Sequence, residues 1–215
     1  MRYYPIYLDL KGRSVTVVGG GKVAERKVRT LILSQADVTV ISPDLTPRLK
    51  RVLAHGEFRY IKRRYRNGDL AGSMMVLVAT DDRAANERIA SNIKDSNILI
   101  NIADIPDKCN FILPSIVERG DLIISISTSG KSPAFAKQTR LELERIFGQE
   151  YELFIKILGM VRKRLLKTVR SEKRRRSIFQ GLVKSDVLTL LKEGKRDEAE
   201  ILIKNITGID DIPLR

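Results

Sequence analysis

Val15-Thr16-Val17-Val18-Gly19-Gly20-Gly21-Lys22-Val23-Ala24 is the stretch that decides the fold. A β-branched run meets three glycines and then passes into residues spaced as a helix, with Val23, Lys27, Thr30 and Leu31 three or four apart. The pattern Gly19-x-Gly21-x-x-Ala24 is that of a dinucleotide-binding turn. Gly19 permits the tight bend, Gly21 lets the backbone approach a pyrophosphate, and the small Ala24 lets the helix lie close to the strand. The unpaired amides of the helix N-terminus then face the phosphates. A second strand is expected over residues 38–41. Ser42 stands where such domains usually place a ribose-binding acid, and Asp44 follows two residues later. With no arginine directly at that strand end to receive a 2′-phosphate, NAD is expected rather than NADP.

Working outward, further short apolar runs lie at residues 75–79, 98–102 and 122–127. Ala85, Ile89 and Ile93 set a helix between the first two of these. Continuous apolar runs, rather than alternating ones, suit strands buried on both faces of a parallel sheet. Their alternation with helices predicts an α/β, Rossmann-type domain over residues 1–113. The pattern changes after Pro114. A strand at 122–127 leads through the polar turn 127–133 into a helix expected over 134–146, with Phe135, Leu141, Leu143 and Ile146. Residues 150–215 read as helical: Phe154, Leu158, Val161, Leu165 and Val169 share one face, and shorter helical segments follow at 187–191 and 199–203. The expected division is therefore 1–113, 114–149 and 150–215.

The 215 residues carry 40 Lys+Arg against 26 Asp+Glu, a net charge of +14, which favours an anionic partner. Residues 151–215 hold 16 basic and 9 acidic residues, and between 156 and 176 ten basic residues face only Glu172. One cysteine, Cys109, excludes an intrachain disulfide and a cysteine-cluster metal site. One histidine, His55, argues against a two-histidine zinc site and a Ser-His-Asp triad. No metal ligands are expected. The start lacks a signal-peptide core and no run approaches a membrane span, so a cytoplasmic protein without a membrane partner is expected.

Ligands of open α/β sheets bind beyond the carboxyl ends of the strands. Three polar clusters fall there: Thr80-Asp81-Asp82, Asn101 with Asp104, and Ser127-Thr128-Ser129. Thr80 is placed in the cofactor cleft, and Asp81 and Asp82 are read as caps of the following helix. No periodic helix follows Asp104, so a carboxylate at that strand end is read as catalytic, either as a general base or as the partner of a cationic centre. Cys109 is read as a packing residue and His55 as a surface residue.

Several linked stretches carry a resemblance. They are Pro5-Ile6-Tyr7-Leu8-Asp9-Leu10, the glycine turn through Lys27, Ala79-Thr80-Asp81-Asp82, Asn101-Ile102-Ala103-Asp104, Phe111-Ile112-Leu113-Pro114-Ser115 and Ser127-Thr128-Ser129-Gly130-Lys131-Ser132-Pro133. In this order and spacing, residues 1 to about 150 resemble the precorrin-2 dehydrogenase / sirohydrochlorin ferrochelatase family, which also forms the N-terminal module of siroheme synthase. The resemblance implies NAD-dependent oxidation of precorrin-2 to sirohydrochlorin, with iron insertion (Fe²⁺) in some members. It implies a homodimer in which 114–149 is a small α+β dimerisation segment, followed by a helical C-terminal domain. It places cofactor contacts on Gly21, Lys22, Val23, Pro43 and Asp44, the key acid on Asp104, and tetrapyrrole contacts on Asn101 and the Thr128–Ser129 turn. Many relatives carry serine where this chain has Thr128, and the hydroxyl is kept. A polycarboxylate tetrapyrrole suits a basic protein, and Asp104 would take the proton released as NAD accepts a hydride. The competing reading is an NAD-responsive redox sensor with its basic tail on nucleic acid, or a regulatory domain. It leaves the Asn101–Asp104 and Thr128 clusters unused, and no nucleic-acid partner is expected.

Overall fold

The computed structural model describes residues 2–93, 96–103, 105–210 and 212–213. Two compact units divide the chain, Met1–Leu113 and Pro114–Arg215. In the first, β1 (Ser14–Val18), α1 (Lys22–Leu33), β2 (Asp37–Ile41), α2 (Pro47–Ala54), β3 (Arg59–Ile61), β4 (Met75–Val78), α3 (Arg83–Asn92) and β5 (Leu99–Ile102) follow in order. All neighbouring strands are parallel, in the order β3-β2-β1-β4-β5. The order reverses between β1 and β4, which is where this fold opens its binding crevice.

Strand periodicity explains the continuous apolar runs. Val15, Val17, Met75 and Leu77 join Ala24, Val28, Leu31 and Leu49 of α1 and α2 in one cluster. Their alternating neighbours Val18, Val76 and Val78 join Ile89, Ile100 and Ile102 in another. Both faces are thus covered, and strict hydrophobic alternation is absent. The one polar strand residue buried here, Thr16, shares a 2.7 Å hydrogen bond with the buried Ser73 hydroxyl.

In this unit one strand and one α-helix escaped the sequence reading. The three-residue β3 has no apolar run to announce it, and α2 starts at Pro47 behind a Thr46 cap. Beyond β5, Asn110 behaves as a one-residue strand. Its side-chain oxygen accepts from the Ile100 amide at 2.8 Å, its own amide donates to the Ile100 carbonyl at 3.2 Å, and its Nδ2 donates to Ile98.

Between β3 and β4, Asp69 accepts both Arg63 guanidinium nitrogens at 2.7 Å and the Arg66 amide at 2.7 Å. The bonds from Arg63 hold the Asp69 carboxyl below the usual carboxylate range, against the opposing effect of its partial burial. A depressed folded-state pKa gives stability that is fully present above the unfolded value, near pH 4, and is lost as pH falls through the folded value. In thermal melts from neutral pH into acid, wild type is expected to outlast Asp69→Asn at neutral pH. The two should converge as the pH falls below about 4.

In the second unit, β6 (Ser115–Arg119) and β7 (Leu122–Ile126) form an antiparallel pair, followed by α4 (Pro133–Ile146), α5 (Glu150–Thr168), α6 (Glu172–Lys184), α7 (Val187–Lys192) and α8 (Arg196–Thr207). Gly120, at φ +58°, makes the two-residue hairpin turn. The Arg119 guanidinium donates to the Glu144 and Phe147 carbonyls and ties β6 to the C-terminus of α4. Phe154, Ile157, Val161 and Leu165 of α5 centre a helical core with Leu182, Val187, Ala199 and Ile203. Ile157, rather than the expected Leu158, is the fully buried member of that turn. By contrast, Phe135, Leu141 and Ile146 of α4 are exposed, as are Ile116 and Ile123 of the strand pair. Among the described residues, no helix is long and apolar enough to cross a membrane.

Candidate cofactor site

The site begins where β1 ends. The Gly19 amide donates to the Ile41 carbonyl, so the turn leaves the sheet between β2 and β4. Gly19 takes φ +122°, and a Cβ there would lie 2.1 Å from the Ala79 carbonyl oxygen. Gly20 is equally confined: its Cβ would fall 2.0 Å from the Asp44 carbonyl oxygen and 2.8 Å from the Ser42 hydroxyl. Gly21 differs from both, because a Cβ built on it meets no atom of the described residues within 4 Å. Two glycines therefore let loops meet, and the third faces open space at the start of α1. That helix carries no side-chain cap, so its first amides point into the same space. Ala24 is fully buried against the strand, as its small size suggests.

The β2–α2 loop forms the adjoining wall. Ser42 is buried and donates to the Asp44 carbonyl at 2.7 Å, so it braces the loop from beneath. Pro43 and Asp44 are exposed. The Tyr60 hydroxyl of β3 donates to the Pro43 carbonyl at 3.2 Å, and burial followed by the nearby Asp44 carboxylate raises its pKa. Thr46 locks the loop to the glycine turn: its amide donates to the Gly20 carbonyl at 3.0 Å, and its hydroxyl accepts from the Leu49 amide and donates to Glu25 at 2.6 Å. Gly20, Glu25, Thr46 and Tyr60 all escaped the sequence reading. Gly20 sat at an unspecified place in the motif, and the other three act through contacts that no spacing reveals.

The remaining wall follows β4. Thr80 accepts from the Asp82 amide, and its carbonyl accepts from Asn86 Nδ2 at 3.2 Å. Asp82 caps α3 by accepting from Ala85 at 3.0 Å, the role read for it from sequence. Asn86 is buried, and its Oδ1 has no partner among the described residues.

On β5, Asn101 Oδ1 accepts from Lys27 Nζ of α1 at 2.9 Å, and its Nδ2 donates to the Phe111 carbonyl at 3.2 Å. Cys109 is a packing residue whose sulfur accepts from the Ile102 amide at 3.1 Å. Asp104 lies outside the described residues. In the second unit, Ser129 and Gly130 at φ +54° and +81° carry the φ pattern of a type I′ turn. Thr128 Oγ1 accepts from the Ser132 amide at 3.1 Å, and Ser132 caps α4. His55 is the exposed C-cap of α2.

A glycine turn with open space at Gly21, uncapped helix amides and a topological switch point together suit a dinucleotide pyrophosphate. The family model NAD_binding_7, described as NAD(P)-binding, matches residues 6–115. The chain belongs to this NAD(P)-binding family. A second model, "Sirohaem biosynthesis protein central", matches residues 119–146. Outside those models, the chain is 34% identical to the siroheme synthase of Photobacterium profundum over 96% of its own length and 44% of that protein. It is likewise 34% identical to the siroheme synthase of Methylobacillus flagellatus, over 91% of this chain and 43% of that one. The chain thus spans less than half the length of these curated relatives. Among solved structures it is similar to "SirC, precorrin-2 dehydrogenase", with a TM-score of 0.81 and 26% identity over 96% of this chain and all of that one. The span matched by the NAD(P)-binding model contains the glycine turn between β1 and α1.

Proposed function

We propose that the chain is an NAD-dependent dehydrogenase that oxidises precorrin-2 to sirohydrochlorin in siroheme biosynthesis. The observation that carries this reading is the open space at Gly21 before the uncapped α1, in a chain similar along nearly all its length to a solved precorrin-2 dehydrogenase. NAD, when bound, supplies the hydride acceptor. Gly19 and Gly21 shape the pyrophosphate cradle, with Lys22 and Val23 opening the helix beside it. Pro43 and Asp44 take the ribose side, and Thr80 lines the wall beyond β4. Asp104 is the general base for the proton released on oxidation. Asn101, Thr128 and Ser129 bind the tetrapyrrole, whose carboxylates favour the net charge of +14.

Residues 114–149 are the dimerisation segment of a homodimer in this reading, and 150–215 the helical domain. Supporting it are Ile116 and Ile123 on the outward face of a two-stranded sheet, with Phe135 and Ile146 exposed on α4. Fe²⁺ insertion into sirohydrochlorin is a second activity, favoured by relatives that are siroheme synthases. Placement is cytoplasmic. The test is NADH formation from NAD and fresh precorrin-2 without oxygen, followed by addition of Fe²⁺. NADH with a sirohydrochlorin spectrum is expected, and iron should convert that spectrum to siroheme's. NAD binding without NADH formation would defeat the dehydrogenase reading and turn attention to a nucleic-acid partner.

A further inference from the structure

Glu25 stands in the first turn of α1, the turn that would face the cofactor phosphates. A carboxylate there opposes a bound pyrophosphate, since both are drawn to the same helix N-terminus. Its contacts lead away from that end. Glu25 Oε2 accepts from the Thr46 hydroxyl at 2.6 Å, and Oε1 lies 3.8 Å from Nε of Arg48. Its side chain is only 19% exposed. Thr46 in turn bonds Gly20, whose Cα lies against the Asp44 carbonyl. One carboxylate therefore fastens the phosphate turn to the loop carrying Asp44.

Arg48 matters because domains of this fold accept NADP by offering an arginine near the end of the second strand. The sequence places no arginine directly there, but Arg48 lies four residues beyond Asp44, in the first turn of α2. Its charge is met by Glu25. Of the arginines after β3, Arg63 is held by Asp69 at 2.7 Å, and the exposed Arg64 lies 3.8 Å from Asp82.

We propose that Glu25 is a specificity-determining residue: by holding Thr46 and neutralising Arg48, it keeps the β2–α2 loop suited to a ribose hydroxyl and closed to a 2′-phosphate. This rests on the reading of the site as one for NAD. The test titrates NADH and NADPH by cofactor fluorescence into wild type, E25Q, R48A and E25Q/R48A at low salt. Glutamine keeps the acceptor for Thr46 and removes the charge that holds Arg48. Wild type should prefer NADH. E25Q should shift the preference toward NADPH about tenfold relative to wild type, beyond any gain it gives both nucleotides by removing a charge near the pyrophosphate. R48A alone should leave the preference as it is, and the double variant should lose the gain. An unchanged preference in E25Q, a gain that survives in E25Q/R48A, or a wild type that prefers NADPH would each overturn the proposal. A wild type that binds neither nucleotide would overturn the NAD reading itself, and the proposal with it.

Discussion

Gly21→Ala leaves the melting temperature of the protein close to wild type and weakens NAD binding about 100-fold, an expected loss near 2.7 kcal/mol. Both halves follow from one fact: a Cβ at this position touches no atom of the described residues and occupies the space before the first amides of α1. Cofactor and methyl group compete for that space, and the fold does not take part. Gly20→Ala is the contrasting case. Its methyl group would sit 2.0 Å from the Asp44 carbonyl and 2.8 Å from the Ser42 hydroxyl, so backbone must move. Stability should fall by about 3 kcal/mol, together with NAD binding. Paired melts and NADH titrations separate the two. Equal destabilisation by both substitutions would contradict the assignment of Gly21 to the ligand.

Asp104→Asn should lower the rate of precorrin-2 oxidation by about 10²- to 10⁴-fold, the contribution typical of a positioned general base. Asparagine preserves size and polarity but cannot take the proton that leaves with the hydride. NAD affinity should be unchanged, because the proposed cofactor contacts lie on Gly19, Gly21 and the β2–α2 loop. Single-turnover NADH formation separates the outcomes. A wild-type rate in the variant would remove Asp104 from the chemistry, and a lost rate with weakened NAD binding would move it to the cofactor.

The first unit was legible because its signals are local. β1, the start of α1 and the Asp82 cap are written in runs of five to ten residues, and each has a period or a capping rule behind it. The edge strand β3 was not legible: its Arg59-Tyr60-Ile61 owes its conformation to pairing with β2, not to its own composition. The site divided in the same way. Gly19 and Gly21 belong to a pattern, whereas Gly20 is constrained by a loop more than twenty residues away in sequence. Thr46, Tyr60 and Glu25 are ordinary residues until the loop from β2 folds back over the glycine turn. In the helical region, a charge run between 156 and 176 hid the break at Val169 that separates α5 from α6.

A parallel sheet with two open margins can recruit further strands from other molecules, and both margins here are guarded against it. On one side the sheet ends in only three residues, opening with Arg59 and followed directly by Lys62, Arg63 and Arg64. Short length and cationic charge discourage an incoming strand there. On the other side Asn110 already occupies the main-chain groups of Ile98 and Ile100. Both margins of a sheet rich in valine and isoleucine are thus poor templates for edge-to-edge pairing.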